Sequence, residues 1–66
     1  MELKTARRIA RLTQKQLGKR AGVDHSTISL IENGHREKVS YETIVRIARA
    51  LHVSAEELFP VADVPK

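Results

Sequence analysis

The chain has no cysteine, two prolines, three glycines and only two aromatic residues, Tyr41 and Phe59. Each shortage excludes something. Without cysteine there is no disulfide framework and no thiolate zinc site, which fits a cytosolic setting. His25, His35 and His52 are too scattered to supply a zinc spacing by themselves, and no cofactor is expected. Two aromatic side chains cannot build a platform on which single-stranded bases stack. No apolar run approaches the ~20 residues of a membrane span. The opening MELKTARR has no apolar h-region, so the expectation is a soluble, cytoplasmic protein. No strand pattern, internal repeat or low-complexity segment is present, and no glycine-rich phosphate loop follows a strand.

What is present is charge and helical period. The 66 residues suffice for one domain, near the lower limit for a chain that folds without staples. Lys and Arg number 12 against 8 acidic residues, a formal charge of +4 with a pI near 10.0. That excess points to a polyanionic partner. With no aromatic platform, duplex DNA is the better match than a single strand.

Periodicity and caps predict five short helices. The first runs from about Glu2 to Arg11 and buries Leu3, Ala6 and Ile9 or Ala10. Thr13 caps the second, with Gln16 completing a Thr-x-x-Gln capping box. The third runs from His25 to Asn33 and stops at Gly34. Ser40 caps the fourth, whose Ile44, Ile47, Ala48 and Leu51 share one face. Ser54 with Glu57 opens a fifth that ends before Pro60. The fold class is all-α, a compact five-helix domain over residues 1–59 with a short tail at 60–66. The initial Met and the last helix lead to the expectation of a complete single-domain protein.

The most informative stretch is QKQLGKRAGVDHSTISL with Ile31 after it, which has the spacing of a helix-turn-helix DNA-binding unit. Leu17, Ala21, Val23, Ile28 and Ile31 are apolar at the required positions, and Gly18 and Gly22 are glycine. Gly18 costs about 1 kcal/mol of helix propensity relative to alanine, and close approach of the two helices is the compensation. Gly22 ends the first helix of the unit in a left-handed conformation. Asp24 caps the next by accepting from its first backbone N–H groups. With Ile28 and Ile31 inward, the third helix of the chain presents Ser26, Ser29, Leu30 and Asn33 outward, with His25 at its N-terminal end. An exposed leucine there suits a thymine methyl, and His or Ser can donate to a guanine or thymine acceptor.

Beyond this unit, LTQKQLGKRAGV, STISLIENG and SYETIVRIARALHVSAEELF resemble the Cro and phage-repressor type (Xre-like) transcriptional regulators, from about Leu3 to Phe59. The chain departs from that pattern in three places. Gly18 stands where alanine is commoner, Val39 replaces a frequent proline, and the loop from Gly34 to Val39 is a residue or two longer. The resemblance implies a lambda-repressor-like DNA-binding fold, with the third helix in the major groove of a double-stranded operator. It gives base reading to His25 and Ser26, then Ser29 and Leu30, and phosphate contacts to Gln14 and Asn33. Lys15 and the loop residues His35, Arg36 and Lys38 join the phosphate set. Arg7 and Glu32 coincide with family positions that form an ion pair between helices one and three. The expected activity is transcriptional regulation, usually repression, by a homodimer on a palindromic operator. Leu58, Phe59, Val61 and Val64 are the apolar residues available for pairing.

Two other functions compete with DNA binding. Asp24, His25 and Ser26 contain the residue types of a hydrolase triad, but adjacent residues diverge and capping explains Asp24 better, so no enzyme is expected. The other rival is an antitoxin or adaptor that grips a protein partner with the same fold. A dominant acidic face on the third helix would support it, and the sequence has none.

Overall fold

The computed structural model describes residues 2–58. They form α1 (Leu3–Ile9), α2 (Gln14–Ala21), α3 (His25–Glu32), a 3-10 turn (Arg36–Lys38), α4 (Tyr41–Ala50) and α5 (Ala55–Leu58). No strand occurs among the described residues, so the all-α class stands.

Local chemistry accounts for where α2 to α5 start. At α2 the Thr13 hydroxyl accepts from the Gln16 backbone N–H (3.0 Å), and the Gln16 side-chain oxygen accepts from the Thr13 N–H (2.9 Å). This is the full reciprocal box, which satisfies two of the N–H groups a helix start leaves over. Asp24 caps α3 through the Ser26 N–H (3.3 Å), Ser40 caps α4 through Thr43 (3.2 Å), and Ser54 receives the Glu57 N–H (3.2 Å). Loss of one such cap costs on the order of 1 kcal/mol.

The stops are more uniform than the starts. Gly22 (φ 74°) and Gly34 (φ 88°) turn the chain left-handed after α2 and α3. Arg11 (φ 59°) and His52 (φ 59°) do the same after α1 and α4 without being glycine. At α1 the Leu12 N–H donates to the Arg7 carbonyl (3.1 Å) and the Arg11 N–H to that of Arg8 (2.9 Å). Val53 and His52 repeat the arrangement on Ala48 and Arg49, at 3.0 and 3.1 Å. Both are the paired closure in which a left-handed residue satisfies two last-turn carbonyls.

The core draws Leu3 and Ala6 from α1, Leu17 from α2, Ile28 and Ile31 from α3, and Ile44, Ile47, Ala48 and Leu51 from α4 and its end. Leu58 of α5 completes it at 4% exposure. Leu17, Ile28 and Ile47 are the largest fully buried side chains, and α2 packs against both α3 and α4 around them. No polar or charged residue among those described belongs to this core.

One core expectation is overturned. Ile9 is 68% exposed and Ala10 is exposed too, because α1 ends at Ile9 and the left-handed Arg11 reverses the chain. Leu12, after the reversal, packs against the core instead. The third helix also ends one residue early, with Asn33 as its C-cap. Among the described residues no helix is long and apolar enough to cross a membrane.

Candidate nucleic-acid interface

The site is built on the α2–turn–α3 unit. Gly22 takes the left-handed conformation that lets the chain leave α2 sharply, and Val23 tucks against the core. A Cβ placed on Gly18 would lie 2.7 Å from the Val23 carbonyl oxygen and 3.2 Å from the His25 nitrogen. The close approach is therefore to the turn and the first residue of α3. With Ile28 and Ile31 turned inward, His25, Ser26, Leu30 and Asn33 stand on the exposed side and Ser29 is half-buried beside them. Leu30 is 37% exposed.

Hydrogen bonds pre-arrange several of these groups. The Asn33 amide donates to the Ser29 hydroxyl oxygen at 3.2 Å, which leaves that hydroxyl its own proton to give away. His25 Nδ1 lies 3.2 Å from Asp24 Oδ1. The hydrogen bonds from Ser26, backbone first and then hydroxyl, hold the Asp24 carboxyl below the ordinary aspartate range, and the charge of His25 adds to this. Asp24 is thus occupied as a cap.

Behind that face stands a polar cluster joining three helices. Arg7 of α1 donates from Nε to Glu32 Oε2 (2.7 Å) and from Nη2 to Oε1 (3.1 Å), and its Nη1 donates to the Leu12 carbonyl (2.8 Å). Gln14, the first residue of α2, donates its amide to Glu32 Oε1 at 3.1 Å. The side chains of Arg7 and Glu32 are 12% and 4% exposed. Burial pushes the Glu32 carboxyl up, but hydrogen bonds from Arg7 and Gln14 and the charges of Arg7 and Lys4 outweigh it. The group is left below the ordinary glutamate range. The hydrogen bond to Glu32 likewise outweighs burial at Arg7 and raises it.

Sequence reasoning paired Arg7 with Glu32 but missed Gln14 as the third member, and it missed the Leu12 carbonyl. A phosphate at Gln14 would therefore use the second amide N–H or the backbone N–H groups beside it. Lys15 is exposed next to Gln14, and His35 and Lys38 are exposed around the 3-10 turn, where Arg36 is half-buried. His35 Nδ1 stands 3.9 Å from Glu37 Oε1. Charge is divided unevenly along the chain. Residues 1–38 hold nine of the 12 Lys and Arg and four of the 8 acids, and 39–66 hold three and four.

The pairing surface fares differently. Leu58 is 4% exposed and packs in the core of a single chain. Phe59, Val61 and Val64 lie outside the described residues. Among the described residues no group of three or more His, Cys, Asp or Glu is placed to hold a metal ion.

Comparison with known proteins agrees with this geometry. The helix-turn-helix family matches residues 3–58. An uncharacterised HTH-type transcriptional regulator of Mycobacterium tuberculosis (strain CDC 1551 / Oshkosh) is 37% identical over 62 residues, 94% of this chain and 44% of its own length. The HTH-type transcriptional regulator RghRB of Bacillus subtilis (strain 168), likewise uncharacterised, is 39% identical over 61 residues, 92% of this chain and 44% of its own. The chain thus spans less than half the length of the curated relatives it matches. No solved structure matches it. Two glycines, an Asp cap and an inward pair of isoleucines in the α2–α3 unit, together with a family match across nearly every described residue, establish that this chain belongs to the Cro/C1-type helix-turn-helix family.

Proposed function

We propose that this chain is a sequence-specific reader of duplex DNA that docks α3 in the major groove and acts on transcription, in most settings as a repressor. One observation carries the reading. Glu32 is held from α1 by Arg7 and from α2 by Gln14, while the opposite side of α3 stays exposed and contains no acidic residue from His25 to Ile31. Eight helical residues extend ~12 Å, the width of the major groove. His25 and Ser26 then meet base edges first, with Ser29 and Leu30 following. Gln14, Lys15, Asn33, His35, Arg36 and Lys38 serve the phosphates on either side. The reading makes residues 1–59 a binding domain rather than a catalyst, working in the cytoplasm where the DNA is.

A single α3 reads too few base pairs to select a site among genomic competitors. Two copies on a two-fold axis, with half-sites ~34 Å apart, resolve this. With Leu58 in the core, pairing falls to Phe59 and the tail at 60–66, or to another surface. Selection of bound sites from a random duplex pool tests the function. The expected result is an enriched motif with two-fold symmetry and half-sites one helical turn apart. Equal affinity for every duplex would overturn it.

A further inference from the structure

We propose that Arg11 is a phosphate-contacting residue, retained in an unfavourable backbone conformation because the turn into α2 needs a cation on the DNA side. The inference rests on the DNA-binding reading above. Arg11 sits at φ 59°, in the left-handed region where a side chain with a Cβ is strained and glycine is at ease. Two of the four left-handed stops among the described residues are glycine, so that solution is in use at the ends of the next two helices. The Arg11 side chain does not explain the choice through the fold. It is exposed, and no hydrogen bond or ion pair among the described residues involves its guanidinium. Arg7 differs, with three donors engaged, and so does Arg46, which pairs with Glu42 at 3.1 Å. A strained backbone held by an exposed, unpaired charge is an outlier from which function is properly inferred.

Position supplies the partner. Arg11 precedes Thr13, the cap of α2, by two residues and Gln14 by three. It belongs to the segment that delivers the α2 N-terminus to the proposed phosphate contact, and Lys15 is a second cation four residues on. A guanidinium there adds a charged, two-pronged phosphate ligand beside the Gln14 amide and the single-point charge of Lys15. His52 has the same φ at the far end of α4, ~15 Å along that helix from the loop that follows α3. It is the internal control.

The test compares Arg11→Gly, Arg11→Lys and His52→Gly with the parent chain, by thermal unfolding and by affinity for a random-sequence duplex pool across a salt series. Both glycine variants should melt higher than the parent. Arg11→Gly should nevertheless bind several-fold more weakly, with the log–log salt dependence shallower by about 0.9 per subunit. Arg11→Lys should keep the slope, and His52→Gly should keep both affinity and slope. Equal slopes and affinities for parent and Arg11→Gly overturn the assignment while leaving the DNA reading in place. A parent chain that binds no duplex overturns both.

Discussion

Gly18 and Val23 approach so closely that a Cβ on the first would stand 2.7 Å from the carbonyl oxygen of the second. That oxygen is backbone, so no side-chain rotation relieves the contact. Gly18→Ala gains about 1 kcal/mol of helix propensity and loses about 1–3 kcal/mol to overpacking. The expected outcome in urea unfolding is a net destabilisation of up to about 2 kcal/mol, although alanine is the commoner residue at this position in the family it resembles. A higher melting temperature for the alanine variant would show that the turn relaxes freely.

Arg7→Ala should be the most damaging truncation in the Glu32 cluster. It strands a Glu32 carboxylate that is 4% exposed, and breaking such a pair costs about 3–5 kcal/mol. The total stability of a 66-residue chain is of that order, roughly 0.05–0.15 kcal/mol per residue. Circular dichroism should therefore show a variant with a strongly lowered melting temperature at neutral pH. Arg7→Lys should recover only part of the loss, since an ammonium cannot span both carboxylate oxygens and the Leu12 carbonyl together. Full recovery would contradict the bidentate geometry.

The acid side of the stability curve follows from Glu32 and Asp24. Both carboxyls titrate below their ordinary values in the folded chain, so the unfolded chain takes up protons first. Their stabilisation is complete above the unfolded values of about 4.3 and 3.9 and is lost as pH falls through the folded ones. Melting temperature should hold level from pH 7 to about 5 and drop below about 4. Glu32→Gln, less stable at pH 7, should show a shallower drop. An acid slope identical to the parent's would mean that Glu32 does not contribute to it.

His25→Ala and Ser26→Ala should relax base preference by roughly 1 kcal/mol, the lower end for a contact that is not bidentate, with little change in melting temperature. Asn33→Ala and Lys38→Ala should weaken binding to selected and scrambled duplexes alike. Gln14→Ala should do this and also lower the melting temperature, because its amide holds Glu32. Affinity for both duplexes, measured beside thermal unfolding, separates the classes. A His25 variant that lost affinity equally for both would place α3 in a different orientation.

Features written in neighbouring residues were legible in the sequence. The Thr13–Gln16 box, the Asp24 and Ser40 caps, the Gly22 stop and the Ile44–Ile47–Ala48–Leu51 stripe depend on spacing of four or fewer residues or on one helical period. The end of α1 was not legible, because a left-handed stop is ordinarily announced by glycine or asparagine and here an arginine occupies it. The helical period therefore points Ile9 at the core, whereas the structure leaves it exposed. The 3-10 turn at Arg36–Lys38 carries no periodic signal in three residues. Gln14 on Glu32 is a contact across 18 positions. An amide at a helix start reads equally well as a ligand for something outside the chain, so only the packing of α1 and α3 against α2 reveals its partner.

If α3 is the docking surface proposed above, the cluster around Glu32 sets what kind of surface it offers. A helix gripped from two neighbours through one carboxylate cannot tilt or slide without parting bonds of 2.7–3.1 Å. Its outward side chains are therefore presented on a fixed frame before any encounter, and little backbone freedom is left to be surrendered on binding. Adjustment passes to the other molecule. On the proposed docking of α3, a duplex that meets this helix adapts its own groove to fit, so stiffness of the DNA at positions no side chain reaches becomes part of the selection.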